Sequence, residues 1–515
     1  MIESILQRFD TVCRERGDTP CIVGDFEPWS FGRLDRASNG VAAGLVSVGI
    51  APGDRVGLYC PNVPEFVVAY LGTLKAGGTI VPINLMLNPK EIGFILSDAG
   101  VKCLVYHQVF ADRALEATAL AGCVSVRARV GGEVPEGEAS LDGWIAGSTA
   151  APDLSIDPLT QTAVILYTSG TTGRPKGAML SHHNLVSNCR SVAAALALRS
   201  GQDRLLVVLP MFHAFAATVG MLTPLLHGLS LVPLLKFDPK QVSAAIAEHG
   251  VTVFLGVPSM YGLLLRLDDA AVGQWASVRF AVAGGAAMPQ AVMSAFEQRF
   301  GLPVLEGDGP TECSPVTCVN PLNGPRKVGS VGLPIPDVEM CVMDADGRAL
   351  AAGGEHGEVC VRGPNVMQGY WGLEAATDES FHGDWFRTGD LGCRDADGYF
   401  YLVDRIKDLI ITNGMNVYPR VIEEVLYRHP AVADAAVVGD PHPLHGEIPV
   451  AHVVLAEGAD IDAAVIRDWC REHLGRHEVP RRILLRDALP RNAAGKILKR
   501  ELRRQGEVER GVTQG

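Results

Sequence analysis

Two hydrophobic periods alternate along the first quarter of the chain. Apolar residues at helical spacing predict an amphipathic helix over residues 1–17 and further helices over residues 31–48, 65–76 and 89–98. Short apolar runs predict strands over residues 55–60, 79–83 and 101–106. This alternation predicts a largely parallel sheet that is covered by helices on both faces.

The same rhythm continues to residue 300. Residues 184–198 predict a helix whose N-terminal end supplies phosphate-side geometry, and the apolar stretch after it predicts a strand that ends at Pro210 and opens onto His213. The strand predicted over residues 278–283 ends in a glycine turn, and Pro289 is predicted to begin the next helix. Because such turns lie at the carboxyl edge of an open α/β sheet, we expect ligands to bind there.

The pattern changes after residue 327. Alternating runs separated by Asp346-Gly347 and Asp397-Gly398 predict antiparallel hairpins, and hence a β-subdomain, up to residue 403. Helices over residues 421–429 and 463–474, with strands over 433–438 and 450–455, predict a compact α+β piece with a basic tail. The predicted fold class is therefore α/β: a large N-terminal domain of α/β-layered subdomains plus a β-subdomain, and a small α+β C-terminal domain.

Length and charge limit the classes of function. With 515 residues, 47% of them hydrophobic, the chain is long enough for two or more domains. A formal net charge of −13 argues against nucleic acid as the main partner. The 12 cysteines show no metal-binding spacing, which is typical of reduced thiols in a cytoplasmic protein. The most apolar window, residues 218–235, is interrupted by proline and glycine, so no spanning helix is expected, while peripheral membrane contact and a homodimer stay open.

The segment LYTSGTTGRPKGAMLSHHN, residues 166–184, carries the strongest chemical signal. It follows an apolar strand and predicts a phosphate-binding loop, because its glycines, hydroxyls and one lysine supply donors and positive charge. Its candidate contacts are Thr168, Ser169, Gly170, Thr171, Thr172, Gly173 and Lys176. Gly177 stands where a P-loop NTPase needs a hydroxyl for magnesium, so the metal must be held elsewhere. For such a cluster alone, a flexible surface loop is the alternative.

Five motifs in order make the chain resemble the adenylate-forming superfamily, and more narrowly the acyl-CoA synthetases of the fatty acid:CoA ligase type. They are TSGTTGRPKG, GPTE at 309–312, WFRTGD at 385–390, DRIKD at 404–408 and NAAGK at 492–496. The resemblance implies a two-step reaction: a small-molecule carboxylic acid and ATP form an acyl-adenylate, and CoA then forms the thioester. It also implies Mg²⁺, and three regions: a large domain over residues 1–403, a hinge over 404–408 and a small mobile domain over 409–515.

The resemblance implies roles for individual residues. Glu312 would bind magnesium, Thr311 would donate to the α-phosphate, and Lys496 would be the catalytic lysine of the first step. Asp390 and Arg405 would hold the ribose, His213 would flank the approach of the thiol, Lys407 would be the hinge residue, and Gly414 would reach the pantetheine channel after domain rotation. The remaining predicted nucleotide contacts are Gly284, Gly285, Ala286, Asp308 and Gly309.

Three positions depart from the family pattern. Asp308 replaces the tyrosine that stacks on adenine, which removes an aromatic face from the nucleotide site. Val421 stands where a glutamate is expected in the small domain. Ala216 replaces a common glycine and is expected to narrow the acyl tunnel.

Three classes of function remain open at this point. The leading hypothesis is an acid:CoA ligase for a medium- or long-chain fatty acid, with an aromatic acid:CoA ligase as its closest competitor. The candidate lining residues are Phe212, Phe215, Val257, Met260 and Tyr261. The other classes are an acyl-AMP ligase that loads a carrier protein, and an acyl or nucleotide binder without activity.

Overall fold

The computed structural model describes residues 2–147, 150–168, 174–492 and 495–512. The predicted α/β fold is confirmed: two large sheets and an antiparallel subdomain precede a small α+β unit. No helix in the described ranges is long and apolar enough to cross a membrane.

An eight-stranded sheet contains the strands predicted from the first quarter of the chain. Its inner strands are parallel, and its two edge strands on the phosphate-loop side are antiparallel to their neighbours. In spatial order the strands are Gly369–Tyr370, Lys176–Ser181, Thr162–Thr168, Thr79–Pro82, Arg55–Tyr59, Val101–His107, Val126–Val130 and Ala139–Ser140.

A nine-stranded sheet follows the same principle. Its central strands are parallel, and both edges end in antiparallel pairs. In spatial order the strands are Leu333–Pro334, Cys318–Val319, Val304–Asp308, Phe280–Ala283, Val253–Gly256, Arg204–Val207, Ser230–Pro233, Pro20–Gly24 and Phe26–Ser30.

Helices accompany both sheets, and several begin at side-chain caps, as at Ser4, Ser30 and Asn88. The α-helices of the first 300 residues are Ile5–Arg16, Phe31–Ser47, Pro64–Lys75, Pro89–Asp98, Ala111–Ala121, Leu141–Ala146, His182–Ala195, Thr223–His227, Pro239–His249, Pro258–Leu264, Asp269–Gly273 and Gln290–Phe300. A π-helix, Ala216–Leu222, precedes Thr223–His227.

The two large sheets share one hydrophobic core. Helix Pro64–Lys75 lies within it, and its sequence is apolar around most of its circumference, which is typical of an enclosed helix. Helix Phe31–Ser47 packs closely against it, because a Cβ added at Gly72 would lie 2.5 Å from Cγ1 of Val41. The sheets are thus held as one body on which the site is built.

The predicted β-subdomain is a five-stranded antiparallel sheet. Its strands are Glu339–Met343, Gly357–Arg362, Phe381–His382, Trp385–Arg394 and Phe400–Arg405, and the short helix Glu374–Asp378 lies before the third of them. The turn at Asp397-Gly398 joins two of these strands as predicted, and Gly398 has a φ of +90°, which favours glycine.

The small unit has a sheet and a core of its own. Its strands, in spatial order, are Met415–Val417, Ile410–Thr412, Gly446–Leu455 and Val432–His442, and Arg482–Leu485 also pairs with Gly446–Leu455. Helices Pro419–Tyr427, Ala463–His473 and Lys499–Val512 accompany this sheet. The predicted hinge, residues 404–408, comprises the end of strand Phe400–Arg405 and the 3₁₀ turn Ile406–Asp408.

The predicted relation between the phosphate loop and the following helix is wrong. Thr162–Thr168 and Lys176–Ser181 form an antiparallel hairpin, in which Thr168 lies opposite Lys176 and Thr162 lies opposite Ser181. The helix begins at His182, where Ser181 caps it, and therefore lies at the other end of the hairpin from the loop. Its N-terminus supplies no phosphate-side geometry.

Two predicted boundaries are also wrong. The strand expected to reach Pro210 ends at Val207, because the amide of Asn62 donates to the carbonyls of Val207 and Leu209 and replaces a neighbouring strand there. Pro289 is the N-cap with a ψ of 129°, so the helix begins at Gln290.

Candidate active site

The carboxyl ends of two parallel strands form one wall of a deep cavity. Gly284 and Gly285 follow strand Phe280–Ala283, and Asp308 ends strand Val304–Asp308, with Gly309 directly after it. His213, beyond the end of strand Arg204–Val207, lines the same cavity. The expected ligand edge of the sheet therefore coincides with a cavity.

The cavity is apolar over most of its surface. It encloses about 600 Å³ of empty space, part of it open to solvent, which is within the usual range for small-molecule sites. Its lining residues are Val192, Ala195, Leu196, His213, Phe215, Val219, Val282, Ala283, Gly284, Gly285, Gly307, Asp308, Gly309, Thr311, Pro315, Val316, Val319 and Ile335. Asp308 is the one carboxylate among these lining residues.

Gly309 explains how the segment after Asp308 turns back on itself. A Cβ at this position would lie 1.7 Å from the carbonyl oxygen of Pro315, so only glycine fits. Thr311 and Glu312 follow in a 3₁₀ turn, whose carbonyl at Glu312 accepts a hydrogen bond of 2.8 Å from the backbone N–H of Met367. The turn is thereby fixed beside the cavity mouth.

Lys496 comes from the small unit and lines a smaller lobe next to His213, Val257 and Gly285. Its backbone N–H donates to Oδ1 of Asn492 over 2.9 Å, which fixes the turn that carries it. The side chain is exposed in area but lies in a cleft with protein on most sides. This desolvation, together with the charge of Arg405, lowers the pKa of Lys496, although the carboxylates around it favour its charged form.

Asp390 and Arg405 face each other across paired strands of the β-subdomain. Nε of Arg405 lies 2.8 Å from Oδ1 of Asp390, and Nη2 of Arg405 donates to the carbonyl of Thr388 over 3.2 Å. Burial raises the pKa of Asp390, while Arg405 and then Lys496 act in the opposite direction. The pair presents a carboxylate acceptor and a cation at the same edge.

Asp308 and Asp390 influence each other. Desolvation raises the pKa of Asp308 to about 6, and the charge of Asp390 contributes to the increase. Lys496 and Arg405 lower the pKa of both carboxyl groups. Two carboxylates and two cations therefore form one coupled network at the polar end of an apolar cavity.

His213 is neutral in this environment. Burial lowers its pKa to about 4, and the charge of Lys496 adds to this effect. A neutral imidazole between Lys496 and the apolar cavity can accept or donate a hydrogen bond without adding a charge.

Glu312 presents a half-buried carboxylate to the same edge. Its Oε1 accepts a hydrogen bond of 2.8 Å from the hydroxyl of Tyr370, and no donor in the described part of the chain is bonded to its Oε2. A carboxylate oxygen is the ligand type that Mg²⁺ prefers, so this residue fits a magnesium site. Nζ of Lys176 lies near it, 4.8 Å from the ring centre of Tyr370.

Part of the predicted phosphate loop lies outside the described residues, namely Ser169, Gly170, Thr171, Thr172 and Gly173. Its two ends are described: Thr168 and Lys176 are paired across the hairpin. Lys176 is the first residue of its strand rather than a loop residue, which gives it a fixed backbone position.

The structure does not bring every predicted residue into the cavity. Gly414 lies at the exposed tip of the hairpin between Ile410–Thr412 and Met415–Val417, where φ values of +51° for Asn413 and +79° for Gly414 suit an Asn-Gly turn. Ala286 is exposed beyond the glycine turn, and Lys407 lies in the 3₁₀ turn of the predicted hinge.

The predicted acyl lining is only partly found. Phe215 and Val257 line the two lobes, whereas Phe212, Met260 and Tyr261 are absent from the lining of both. Tyr261 is buried in a separate core, where its hydroxyl donates to the carbonyl of Val282. Ala216 is buried in the π-helix and does not line the cavity, so it does not narrow it directly. Val421 is partly exposed on helix Pro419–Tyr427.

Two residues near the site were missed in the sequence. Tyr370 contacts Glu312, and its only signal was an aromatic residue beside a glycine in a short apolar run. Glu306 is 2% exposed two residues before Asp308, and Arg420 of the small unit lies 3.9 Å from it. Burial raises the pKa of Glu306 to about 7. A buried glutamate within an apolar strand was the available signal.

Comparisons with known proteins agree with this geometry. The family model described as AMP-binding enzyme matches residues 9–371, and the model described as AMP-binding enzyme C-terminal domain matches residues 421–496. The chain is 38% identical over 477 residues to a feruloyl-CoA synthase of Amycolatopsis sp, a match that covers 92% of this chain and 94% of the relative. It is 34% identical over 488 residues to a long-chain-fatty-acid–CoA ligase of Bacillus subtilis, with 90% of this chain and 87% of that protein covered.

A solved structure is also similar over nearly the whole length. The anthranilate CoA ligase AuaEII in complex with anthranoyl-AMP superposes with a TM-score of 0.91 at 26% sequence identity. The superposition covers 98% of this chain and 97% of that one.

Proposed function

The chain belongs to the AMP-binding enzyme family, and we propose that the acid it activates is a fatty acid of medium or long chain. It is an AMP-forming acid:CoA ligase that works through an acyl-adenylate and uses ATP, Mg²⁺ and CoA. The single observation that supports the choice of acid is the aliphatic lining of the cavity.

The first step develops negative charge that the site must stabilise. A carboxylate oxygen of the acid attacks the α-phosphorus of ATP, the bond to the bridging oxygen breaks, and pyrophosphate leaves with the electron pair. In this proposal Lys176 and the loop from Thr168 bind the leaving pyrophosphate, and Lys496 and Thr311 contact the α-phosphate. Magnesium, when bound through Glu312, offsets the charge of the phosphates.

The nucleotide is oriented by the carboxylates at the cavity mouth. Asp390 accepts hydrogen bonds from the two ribose hydroxyls, and Arg405 holds Asp390 in the required position. Gly284, Gly285, Asp308 and Gly309 contact the base side, where absence of a large side chain at Gly309 leaves room for the nucleotide.

The second step needs a thiol and a different position of the small domain. The thiolate sulfur of CoA attacks the acyl carbon and AMP leaves with its phosphate oxygen. Neutral His213 flanks this approach. Rotation about residues 404–408 removes Lys496 from the cleft and carries Gly414 toward the pantetheine channel.

The cavity walls favour an alkyl chain. Val192, Leu196, Val219, Val319 and Ile335 supply aliphatic surface, and Phe215 is the one aromatic residue among the lining residues. A second carboxylate on the acid would be desolvated here beside Asp308 without a cation in the apolar part of the lining. A phenol hydroxyl would lose its hydrogen bonds to water in the same place.

An aromatic acid is the second candidate, because the feruloyl-CoA synthase of Amycolatopsis sp is 38% identical to this chain. A flat ring also fits beside Phe215, at the end of the cavity nearest to His213 and Gly284. An unsubstituted ring meets fewer unfavourable contacts than ferulate, since aliphatic walls offer no partner for ring hydroxyls.

The acid preference is tested by CoA-dependent AMP release with individual acids. We expect octanoate, decanoate or palmitate to give a kcat/KM at least about tenfold above cinnamate, ferulate or malonate. Ala195→Phe places a ring in the cavity and should reduce the rate with the preferred fatty acid by about tenfold while butyrate is affected less. The matched control is Ala194→Phe, at the neighbouring exposed position of the same helix. A preference for an aryl acid would contradict the proposal.

A further inference from the structure

We propose that Tyr370 is a positioning residue that aligns the magnesium ligand Glu312 and the pyrophosphate-binding Lys176 with each other. This inference rests on the roles proposed above for Glu312 and Lys176. Glu312 follows strand Val304–Asp308 of one sheet, and Lys176 begins an edge strand of the other. Tyr370 contacts both of them.

The two contacts use different parts of the tyrosine side chain. The hydroxyl donates to Oε1 of Glu312 over 2.8 Å. The face of the ring lies 4.8 Å from Nζ of Lys176, which is within the range of a cation–π contact. One rigid ring therefore sets the separation of a carboxylate and an ammonium group that are 136 residues apart in sequence, as their numbers 312 and 176 give.

The backbone around Tyr370 is attached to both partners. On one side, the N–H groups of Gln368 and Trp371 donate to the carbonyls of Met179 and Gly177, in the strand that Lys176 begins. On the other side, the N–H of Met367 donates to the carbonyl of Glu312 over 2.8 Å.

A third attachment holds the tyrosine itself. Its N–H donates to Oγ1 of Thr377 over 2.9 Å. The segment from Met367 to Trp371 is thus a bridge between the phosphate hairpin and the turn that carries Glu312, and Tyr370 is its central side chain.

The contacts leave both charges available to a ligand. The hydroxyl occupies only Oε1 of Glu312, and Oε2 has no bonded donor in the described ranges. A cation–π contact orients Lys176 without neutralising it, whereas an ion pair with Glu312 would cancel both charges before ATP arrives. Burial and the charge of Glu312 raise the pKa of Tyr370, so its hydroxyl stays a donor throughout the working pH range.

Tyr370→Phe tests the hydroxyl alone, because it keeps the ring beneath Lys176. We expect the Mg²⁺ concentration for half-maximal ATP binding, measured by calorimetry, to rise about tenfold, as is typical when the partner of a metal ligand is removed. The affinity for Mn²⁺ in the presence of ATP, followed by its electron paramagnetic resonance signal, should fall by a similar factor. Binding of pyrophosphate without metal should stay unchanged.

Tyr370→Leu also removes the ring. It should add a loss of metal-free pyrophosphate binding of about threefold or more, which Tyr370→Phe does not show, because Lys176 loses its support. The matched control is Tyr106→Phe, which removes a buried tyrosine hydroxyl bonded to Glu138 on the far side of the eight-stranded sheet. It should leave both ligands unaffected.

A purely structural role gives a different pattern. If Tyr370→Phe lowers the melting temperature but leaves the Mg²⁺ requirement unchanged, the inference is overturned. Glu312→Asp withdraws the carboxylate from Tyr370 without altering the tyrosine, and it should reproduce the raised Mg²⁺ requirement even if Tyr370→Phe is too unstable to purify.

Glu312→Gln separates this inference from the proposed function. It should raise the Mg²⁺ requirement strongly, and adding Tyr370→Phe to it should cause little further loss, because Tyr370 acts through Glu312. If Glu312→Gln binds Mg²⁺ and ATP like the unmodified chain, the metal role of Glu312 fails and the inference fails with it. A large effect of Glu312→Gln with none of Tyr370→Phe overturns the positioning role alone.

Discussion

Asp308 shows how a single side chain can oppose folding and still define the site. Its carboxylate lies near Asp390 at the end of an apolar cavity, with Lys496 and Arg405 as the compensating cations. The substitution for an aromatic residue was visible in the sequence. The coupling to Asp390 was not, because the two residues lie on different sheets and 82 positions apart, as their numbers give.

Ionisation of Asp308 should destabilise the folded chain at neutral pH. Its pKa is about 6 when folded, against about 3.9 in an unfolded chain, so the folded state holds the proton more tightly. The resulting penalty is absent below about pH 4 and complete above about pH 6, where it is on the order of 1–3 kcal/mol. Asp308→Asn should therefore raise the melting temperature more at pH 8 than at pH 5, as measured by calorimetry.

The exposed Asp269 supplies the control for this experiment, since Asp269→Asn removes a carboxylate that lies in water. Its effect should not differ between the two pH values. An equal gain from Asp308→Asn at pH 5 and pH 8 would show that Asp308 is not held protonated by the fold.

Lys496 should act in the first step alone. Lys496→Ala removes a cation from the cleft at which charge develops, and we expect acid-dependent exchange of pyrophosphate into ATP to fall by about 10²–10³-fold. Thioester formation from supplied acyl-adenylate should be nearly unchanged. Lys327→Ala, which removes a lysine paired with Asp395 and Asp397 in the β-subdomain, is the control. Equal losses in both half-reactions would contradict the role.

At the scale of elements, hydrophobic periodicity predicted most strands and helices near the site to within a few residues. The errors arose where a side chain replaces a backbone partner. Asn62 ends the strand at Val207 by bonding to its carbonyls, and Ser181 moves the following helix away from the phosphate loop by capping it at His182. Such contacts depend on the fold and leave no periodic signal in the sequence.

The 3₁₀ turn Ile406–Asp408 should control the second step. Lys407→Pro fixes φ at the proposed hinge, and no hydrogen bond from the N–H of Lys407 is found among the described residues, so folding should be little affected. We expect thioester formation to slow at least about tenfold while pyrophosphate exchange is retained. The control is Lys407→Ala, which removes the charge but leaves φ free.

Rapid-quench measurement of the two half-reactions provides the readout. Undiminished overall turnover by Lys407→Pro would show that the turn is not the hinge.

At the scale of the whole molecule, the site is complete only when the small unit contributes Lys496. Arg420 meets the buried Glu306 across the same boundary, at 3.9 Å. Charged contacts of this kind are weak, which suits a domain that must move during the reaction. The order of the sequence motifs predicted which residues take part, whereas the position of the small unit became visible only in three dimensions.

The acid is the feature that the sequence specified least. Only two of its five expected lining residues border the cavity or its smaller lobe, because the actual walls come from helix His182–Ala195, the π-helix Ala216–Leu222 and the segment from Pro315 to Ile335. These elements are distant in the chain, and each reads as ordinary core when taken alone. The geometry of their aliphatic side chains supports the fatty-acid proposal.

A competition experiment tests this central proposal most directly. ATP, Mg²⁺ and CoA are supplied with an equimolar mixture of butyrate, octanoate, palmitate, cinnamate, ferulate and malonate, and the acyl-CoA products are quantified by mass spectrometry at low conversion. Product ratios then give the ratios of kcat/KM, and we predict octanoyl-CoA or palmitoyl-CoA in at least about tenfold excess over each aryl-CoA and over malonyl-CoA. A predominance of cinnamoyl-CoA, feruloyl-CoA or malonyl-CoA would contradict the account.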